Sequence, residues 1–340
     1  MDERIQKGLV SINILMEIFL KKNKLSILTS SPDFFGRLHL FNTIIRRGIK
    51  DFLFFTTRRP RFQSMGGPQG VVSSLLKGFQ KLGVEYNYNP TKNDVGDIVC
   101  VLSGTDALRW AINAKRTGRI KKIIAGPNLV FQTDAGVIVV DDEIDRILVP
   151  ARWLKDSSSV IANHKVFKRV MVWAAGVDEV FPSTSMRNIL LVYKKDVSEK
   201  IFSFVLCVLN ELGISYRVLE YGRYKKDNYF RMLSIAQGLI YLTKTETQGL
   251  ALAEAWMHNV PTLVWNPGFF ERDGIRVPTS SAPYLTDECG VFFSKKSEFK
   301  TKLKFFLSRI SEFRAYEYAK DNFTHEIAAR RYLDTIREIL

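Results

Sequence analysis

The chain has 340 residues, of which 46% are hydrophobic and 25% charged, and its formal net charge is +15. This length corresponds to about two ordinary domains, and the composition excludes a disordered chain, a collagen-like repeat and a small disulfide-stapled protein. Its 3 cysteines have no paired spacing. They give neither a disulfide framework nor a zinc site, and a reducing, cytoplasmic location is expected.

The N-terminal segment predicts an amphipathic helix over 5–20, followed by three lysines. Its apolar stretch is too short to cross a bilayer, which needs about 20 apolar residues. Two interpretations remain open, a helix lying on an acidic membrane surface at the inner face or a helix packed on the first domain.

Strands and helices alternate through the rest of the first half. Apolar β-branched runs predict strands over 49–57, 97–103, 120–126, 137–140 and 147–150, with helices over 71–82 and 107–115. Alternation of this kind is typical of parallel βαβ units.

The second half repeats the same alternation. Strands are predicted over 189–193, 216–221, 239–244 and 261–265, and helices over 197–212, 228–236 and 249–258, before further C-terminal helices. We therefore predict an α/β fold with two Rossmann-like parallel sheets facing a cleft. The expected parts are an extension over 1–48, a first domain over 49–182, a second over 183–322 and a C-terminal helix over 323–340 that packs toward the first domain.

Positive charge is concentrated in the first half. Six basic residues and no acidic residue occur over 109–122, and seven basic residues accompany a single acidic one over 37–61. Such a field favours nucleic acid, an acidic membrane or phosphate-bearing small molecules, and charge alone does not choose among them.

The most informative segment is TETQGLALAEAW over 245–256. Glu246 follows a predicted strand, and Glu254 lies about a turn and a half into the next helix. The start of that helix offers backbone N–H groups to an anion, while carboxylates accept hydrogen bonds from sugar hydroxyls. The alternative is structural: Glu246 complements the helix dipole and Glu254 pairs with His258.

This segment resembles the donor domain of the retaining glycosyltransferases of family 4, which have the GT-B fold. Four further segments extend the resemblance from about residue 49 to the end: Asn259-Val260-Pro261-Thr262-Leu263-Val264, Ala175-Gly176-Val177-Asp178, Phe181-Pro182, and Val149-Pro150 with Trp153. The resemblance implies transfer of a hexosyl or related sugar from a nucleotide diphosphate sugar to an acceptor hydroxyl with retention. Polysaccharide or glycolipid synthesis at the cell surface is the implied setting, with no metal or other cofactor.

The resemblance also implies roles for residues of the second domain. Glu246 contacts the donor sugar and Glu254 the ribose. Donor-binding N–H groups or side chains come from Thr247, Gln248, Gly249 and Leu250.

Other positions match the family less closely. Lys195 and Lys200 stand where it has an arginine and a lysine on the donor diphosphate. Gly66 and Gly67 resemble its first glycine-rich loop, whose backbone approaches the diphosphate. The histidine of its first domain is missing, and Asn128 is the candidate at that place for contact with the donor sugar or acceptor.

The expected partners are a nucleotide sugar and a glycan, lipid-linked or other hydroxyl acceptor, with no nucleic acid. Two alternatives stay open. One is a sugar-nucleotide epimerase or hydrolase of the same fold, and the other is a basic nucleic-acid-binding module without catalysis, although the sequence carries no RNP-like motif, zinc finger or basic zipper.

Overall fold

The computed structural model describes residues 24–32, 67–129, 140–157, 164–182, 187–272 and 275–340. Strands and helices alternate throughout these ranges. The strands are β1 Leu25–Leu28, β2 Asn87–Tyr88, β3 Ile98–Val101, β4 Lys122–Ala125, β5 Arg146–Val149, β6 Val170–Val172, β7 Ile189–Lys194, β8 Tyr216–Glu220, β9 Ala236–Leu242, β10 Thr262–Trp265, β11 Phe269–Arg272, β12 Ile275–Pro278 and β13 Gly290–Phe293.

The helices lie between these strands and at the end of the chain. They are α1 Gly67–Lys81, α2 Thr105–Arg116, α3 Arg152–Ser157, α4 His164–Arg169, α5 Glu199–Glu211, α6 Lys226–Ile235, α7 Leu250–Met257, α8 Lys296–Ser308, α9 Ala315–Asn322 and α10 His325–Arg337.

Two parallel sheets organise the chain. The first has the order β2-β1-β3-β4-β5-β6 and the second β13-β10-β9-β7-β8, while β11 and β12 form a separate antiparallel hairpin. Strands β1 and β3 are buried along their whole length because apolar clusters cover both faces of the first sheet. Two more clusters cover the faces of the second sheet. The predicted fold class, two Rossmann-like parallel sheets, is confirmed.

The extension predicted over 1–48 needs a correction. Strand β1 lies inside that segment, yet it pairs with both β2 and β3 in the first sheet. The sequence signal was weak because only four residues, two of them leucines, form the strand between polar neighbours. The helix predicted over 5–20 and the strands predicted over 49–57 and 137–140 lie outside the described residues.

The last helix, α10, packs on α1 and completes a core of the first sheet. Tyr332 on α10 is fully buried and meets the ring of Trp173 edge-on at 5.3 Å. The indole N–H of Trp173 donates to the carbonyl of Ala328 at 2.8 Å. Strand β6 ends at Val172 and β7 begins at Ile189, so α10 returns to the first sheet after the chain has built the second.

Within the described residues, no helix is long and apolar enough to cross a membrane.

We predict that Gly78→Ala lowers the free energy of unfolding. A Cβ atom at Gly78 would lie 2.2 Å from the carbonyl oxygen of His325 and 2.6 Å from the Cβ of Ala329. Overpacking of this kind costs about 1–3 kcal/mol, against about 1 kcal/mol gained from alanine's helix propensity. The control is Gly67→Ala on the same helix, whose Cβ would meet no atom within 4 Å. Equal denaturation midpoints for the two variants would contradict the close packing of α1 on α10.

Candidate active site

The loop between β9 and α7 carries the predicted glutamates at the carboxyl edge of the second sheet. Gly249 has a φ of +85°, which L side chains rarely adopt, and it turns the loop into α7. A Cβ at Gly249 would approach Leu252 Cδ1 to 3.0 Å. The loop conformation that places Glu246 therefore depends on glycine at this position.

Glu246 is buried and doubly hydrogen-bonded through one oxygen. Its Oε1 accepts from the ammonium of Lys195 at 2.7 Å and from the hydroxyl of Tyr241 at 2.6 Å, and the residue is only 6% exposed. Within the described residues Oε2 accepts no hydrogen bond. The carboxylate is thus held by one oxygen and offers the other to a ligand.

A cluster of four tyrosines, Tyr193, Tyr224, Tyr229 and Tyr241, lies beside this carboxylate. Tyr193 and Tyr241 stack with ring centres 4.9 Å apart, and the hydroxyls of Tyr193 and Tyr224 lie 2.5 Å apart. Burial, and then the charge of Glu246, raises the pKa of Tyr241 well above its ordinary value. Tyr241 therefore stays protonated and keeps donating to Glu246.

Glu254 has its own lysine. Its Oε1 lies 2.8 Å from the ammonium of Lys226 at the start of α6, and its side chain is 14% exposed. Burial raises the pKa of Glu254, and the charge of Lys226 opposes that rise. His258 contacts the backbone carbonyl of Glu254, at 2.7 Å, and not its carboxylate.

The charges of Glu246 and Glu254 both affect the pKa of Tyr224. Burial, and then the charges of Glu254 and Glu246, raises the pKa of Tyr224, against the hydrogen bond with Tyr193. Both glutamates are therefore close enough to Tyr224 for their charges to affect its ionisation.

The first half of the chain meets this site at the start of α1. A Cβ at Gly70 would lie 3.0 Å from Leu250 Cδ1, and Asn128 Nδ2 donates to the carbonyl of Pro68 at 3.1 Å. The N-termini of α1 and α7 are therefore neighbours, and the first turn of each helix has backbone N–H groups without intrahelical partners. Gly67 is the exposed first residue of α1, and Gly66 lies outside the described residues.

Two hydrogen bonds join the halves beside Glu246. The indole N–H of Trp153, on α3, donates to the carbonyl oxygen of Glu246 at 2.8 Å. The hydroxyl of Tyr284 donates to the carbonyl of Pro150 at 2.7 Å. The first half thus fixes the backbone of the residue whose side chain enters the site.

Gln248 and Lys200 have different surroundings in the structure. The amide of Gln248 makes two hydrogen bonds with the backbone of Ala175: Oε1 accepts from its N–H at 2.9 Å and Nε2 donates to its carbonyl at 2.6 Å. Lys200 is exposed in the first turn of α5 and forms no ion pair with a described residue. Thr247 is exposed beside the glutamate.

Buried hydroxyls at the site have unused hydrogen-bonding capacity. Within the described residues, Thr245 Oγ1 and Thr279 Oγ1 are buried with no partner. Thr245 adjoins Glu246 in sequence, and Thr279 precedes Ser280, whose carbonyl accepts from the N–H of Glu246 at 2.9 Å. Buried polar groups usually have partners, and these two hydroxyls have none among the described residues.

No cluster of three metal-ligating side chains occurs in the part of the chain that the structure describes.

Several contacting residues could not be found by reading motifs. Lys226 is one of two adjacent lysines at a helix start, Tyr241 resembles any inward strand residue, and Trp153 is 93 positions from the glutamate it contacts. The only usable signal was the Val-Pro segment with Trp153, which carried part of the family resemblance.

Comparison with solved structures identifies the fold. The chain superposes on an apo lipopolysaccharide outer core galactosyltransferase, WaaB, with a TM-score of 0.60, 12% identity and coverage of 93% of this chain and 100% of that one. It also matches the catalytic domain of starch synthase IV from Arabidopsis thaliana, bound to ADP and acarbose. That match has a TM-score of 0.50, 9% identity and coverage of 83% of this chain and 79% of that one.

These likenesses show that the chain has the GT-B fold. No protein-family model and no curated protein sequence matches the chain.

We predict that Gln248→Ala destabilises the protein by about 2–4 kcal/mol, because it leaves the N–H and carbonyl of the buried Ala175 without partners. Chemical denaturation measures the change. Gln80→Ala, an exposed glutamine on α1, serves as the control and should change stability by less than about 0.5 kcal/mol. A Gln248 variant as stable as the control would show that these bonds do not form in solution.

Proposed function

We propose that this protein is a retaining glycosyltransferase resembling family 4, which moves a hexosyl or related sugar from a nucleotide diphosphate sugar to an acceptor hydroxyl. The carrying observation is the pair of buried carboxylates, each held by a lysine, beside two adjoining helix N-termini. Carboxylates suit sugar and ribose hydroxyls, and helix N-termini suit a diphosphate. One cleft can therefore bind the sugar, the ribose and the diphosphate of such a donor.

Each group has a proposed role. The carboxylate of Glu254 accepts hydrogen bonds from the ribose diol, and Oε2 of Glu246 accepts from hydroxyls of the donor sugar. The backbone N–H groups at Gly249, Leu250 and Gly67 face the diphosphate. Asn128, held at the start of α1, lies on the acceptor side.

Lys195 is the cation assigned to the diphosphate. One N–H of its ammonium is used on Glu246, and an ammonium has three. Its side chain is 27% exposed, so the remaining donors are accessible to a ligand. Lys200 is a second candidate cation, at the exposed start of α5.

The transfer step follows from these contacts. The acceptor oxygen forms a bond to the anomeric carbon while the bond from that carbon to the diphosphate oxygen breaks. The bonding electron pair stays with the diphosphate oxygen, which takes the proton of the acceptor hydroxyl. Lys195 and the two helix N-termini stabilise the negative charge that develops there.

Attack from the leaving-group face gives retention. The hydrogen bonds from Lys195 and Tyr241 stabilise the negative charge of Glu246, which makes this carboxylate a weaker nucleophile on the opposite face. Its proposed role is to hold the sugar and stabilise positive charge at the anomeric carbon. Tyr241 positions Glu246 by donating a hydrogen bond to its Oε1.

The proposal also covers the kind of acceptor and the setting of the reaction. We place the protein in polysaccharide or glycolipid synthesis in the cytoplasm, with contact to an acidic membrane face. No divalent ion or organic cofactor is required for the step described.

We predict that Glu254→Gln and Glu246→Gln separate binding from transfer. Glu254→Gln should weaken nucleotide diphosphate binding about tenfold, because a charged acceptor is worth roughly 1.5–3 kcal/mol. Glu246→Gln should leave nucleotide affinity nearly unchanged and lower kcat on the order of a hundredfold. Calorimetry with UDP, GDP and ADP, followed by transfer assays on a panel of nucleotide sugars, measures both effects.

The matched control is Glu317→Gln, an exposed glutamate on α9. Wild-type binding and transfer in both site variants would remove the assignment. Donor turnover without any acceptor would favour an epimerase or hydrolase instead.

We predict that nucleotide affinity decreases as the pH falls. Because the pKa of Glu254 is raised, this carboxylate takes up a proton at a higher pH than an exposed glutamate, whose pKa is about 4.3. The ionised form accepts the ribose hydrogen bonds, so affinity should be constant above the raised pKa and decline below it. Titration of UDP, GDP and ADP from pH 8 to pH 5 gives the profile.

Glu254→Gln provides the control for this profile. Protonation of the diphosphate affects both proteins alike, so the difference between their profiles isolates the carboxylate. Parallel profiles would contradict the role of Glu254.

A further inference from the structure

A cavity of about 600 Å³ lies along the outer face of α2, apart from the glutamates. Asp106, Arg109 and Asn113 follow at intervals of three and four residues and therefore share one face of the helix. All three are exposed and line the cavity. Its volume is within the range of small-ligand sites.

The cavity is positively charged. Lys92, Arg109 and Arg119 line it together with a single carboxylate, that of Asp106. Neutral hydrogen-bonding groups come from Asn113 and Thr117. This combination of cations with hydroxyl and amide groups suits a ligand that has both negative charge and hydroxyls.

The basic run over 109–122 divides into two sets in the structure. Four members form ion pairs with acidic residues of the first half, namely Lys115–Asp145 at 2.7 Å, Arg116–Asp141 at 2.6 Å, Lys121–Asp97 at 3.1 Å and Lys122–Asp145 at 3.6 Å. Within the described residues, Arg109 and Arg119 pair with no carboxylate. These two are also the members of the run that reach the cavity as cations.

Arg119 is held in place before any ligand arrives. Its guanidinium carbon lies 6.0 Å from the ring centre of Trp110, and its Nη2 donates to the carbonyl of Lys92. Trp110 is 9% exposed and anchored in the core. A fixed guanidinium loses little freedom on binding and matches the planar shape of a carboxylate or the oxygens of a phosphate.

The cavity extends away from the cleft. Helix α2 begins four residues after β3 ends, so Asp106 lies near the carboxyl edge of the sheet that faces the glutamates. Arg119 follows the other end of the helix, which has 12 residues and is about 18 Å long. A ligand in the cavity would therefore extend along α2, from the edge of the sheet near Asp106 toward Arg119.

We propose that this cavity binds an acidic saccharide, a segment of the acceptor that carries carboxylate or phosphate groups several sugars from the accepting hydroxyl. The identity of this saccharide as part of the acceptor rests on the proposed function. The binding itself is a property of Arg109, Arg119 and Lys92. Glycosyl transfer would then favour acceptors that are both extended and negatively charged.

Calorimetric titration of the full chain with a trimer of galacturonic acid tests the proposal, with maltotriose as the neutral probe. We expect saturable binding of the acidic trimer and none of maltotriose at the same concentrations. Arg109→Gln should weaken trimer binding about tenfold, whereas Arg116→Gln, an arginine on the same helix paired outside the cavity, should change it less than twofold. Asn113→Asp is a second variant that should also weaken binding, by adding negative charge.

Four results would overturn the proposal. They are equal affinity for maltotriose, equal loss in the Arg109 and Arg116 variants, tighter binding of a single-stranded RNA of similar charge, and full displacement of the trimer by an equal concentration of inorganic phosphate. The last two would indicate a nucleic-acid surface or a phosphate site. Nucleotide titrations of the same variants keep this test separate from the proposed function, because Glu254 and not Arg109 governs them.

Discussion

The burial of Glu246 is the constraint on which the site depends. A carboxylate that is 6% exposed is tolerated only when hydrogen bonds and an opposite charge replace its water, and Lys195 and Tyr241 supply both. The backbone of the same residue is bonded to Trp153 from the other half of the chain. Side chain and main chain are thus fixed by different halves, so the geometry of the cleft and the position of the carboxylate are set together.

The cleft contains two kinds of electrostatic group, helix dipoles and ionised carboxylates. In the proposed function, the helix dipoles at the starts of α1 and α7 bind the diphosphate, while the two carboxylates bind the hydroxyl groups of the sugar and the ribose. Each carboxylate is matched by a lysine from a neighbouring element, Lys195 after β7 and Lys226 at the start of α6. Both members of each pair therefore come from the second half of the chain, and the first half contributes the bond from Trp153 to the backbone of Glu246.

The sequence was sufficient for the fold class, because hydrophobic periodicity is a local property. The spacing of eight residues singles out the two glutamates, and their role stays a prediction. The sequence was insufficient for contacts made across the fold. Tyr241 looked like an ordinary core residue, Lys226 carried no motif, and Gln248 read as a donor ligand although its amide is bonded to Ala175. Strand β1 was missed because four residues give too short a pattern to separate from a loop.

The return of α10 to the first sheet has a consequence for biosynthesis. Residues of α10 share a core with β1 and α1, which are made some 250 to 300 residues earlier on the ribosome. The first sheet therefore keeps an uncovered apolar face during most of translation. The layer formed by α10 is added only after the second half has been synthesised, so the core of the first sheet is completed last.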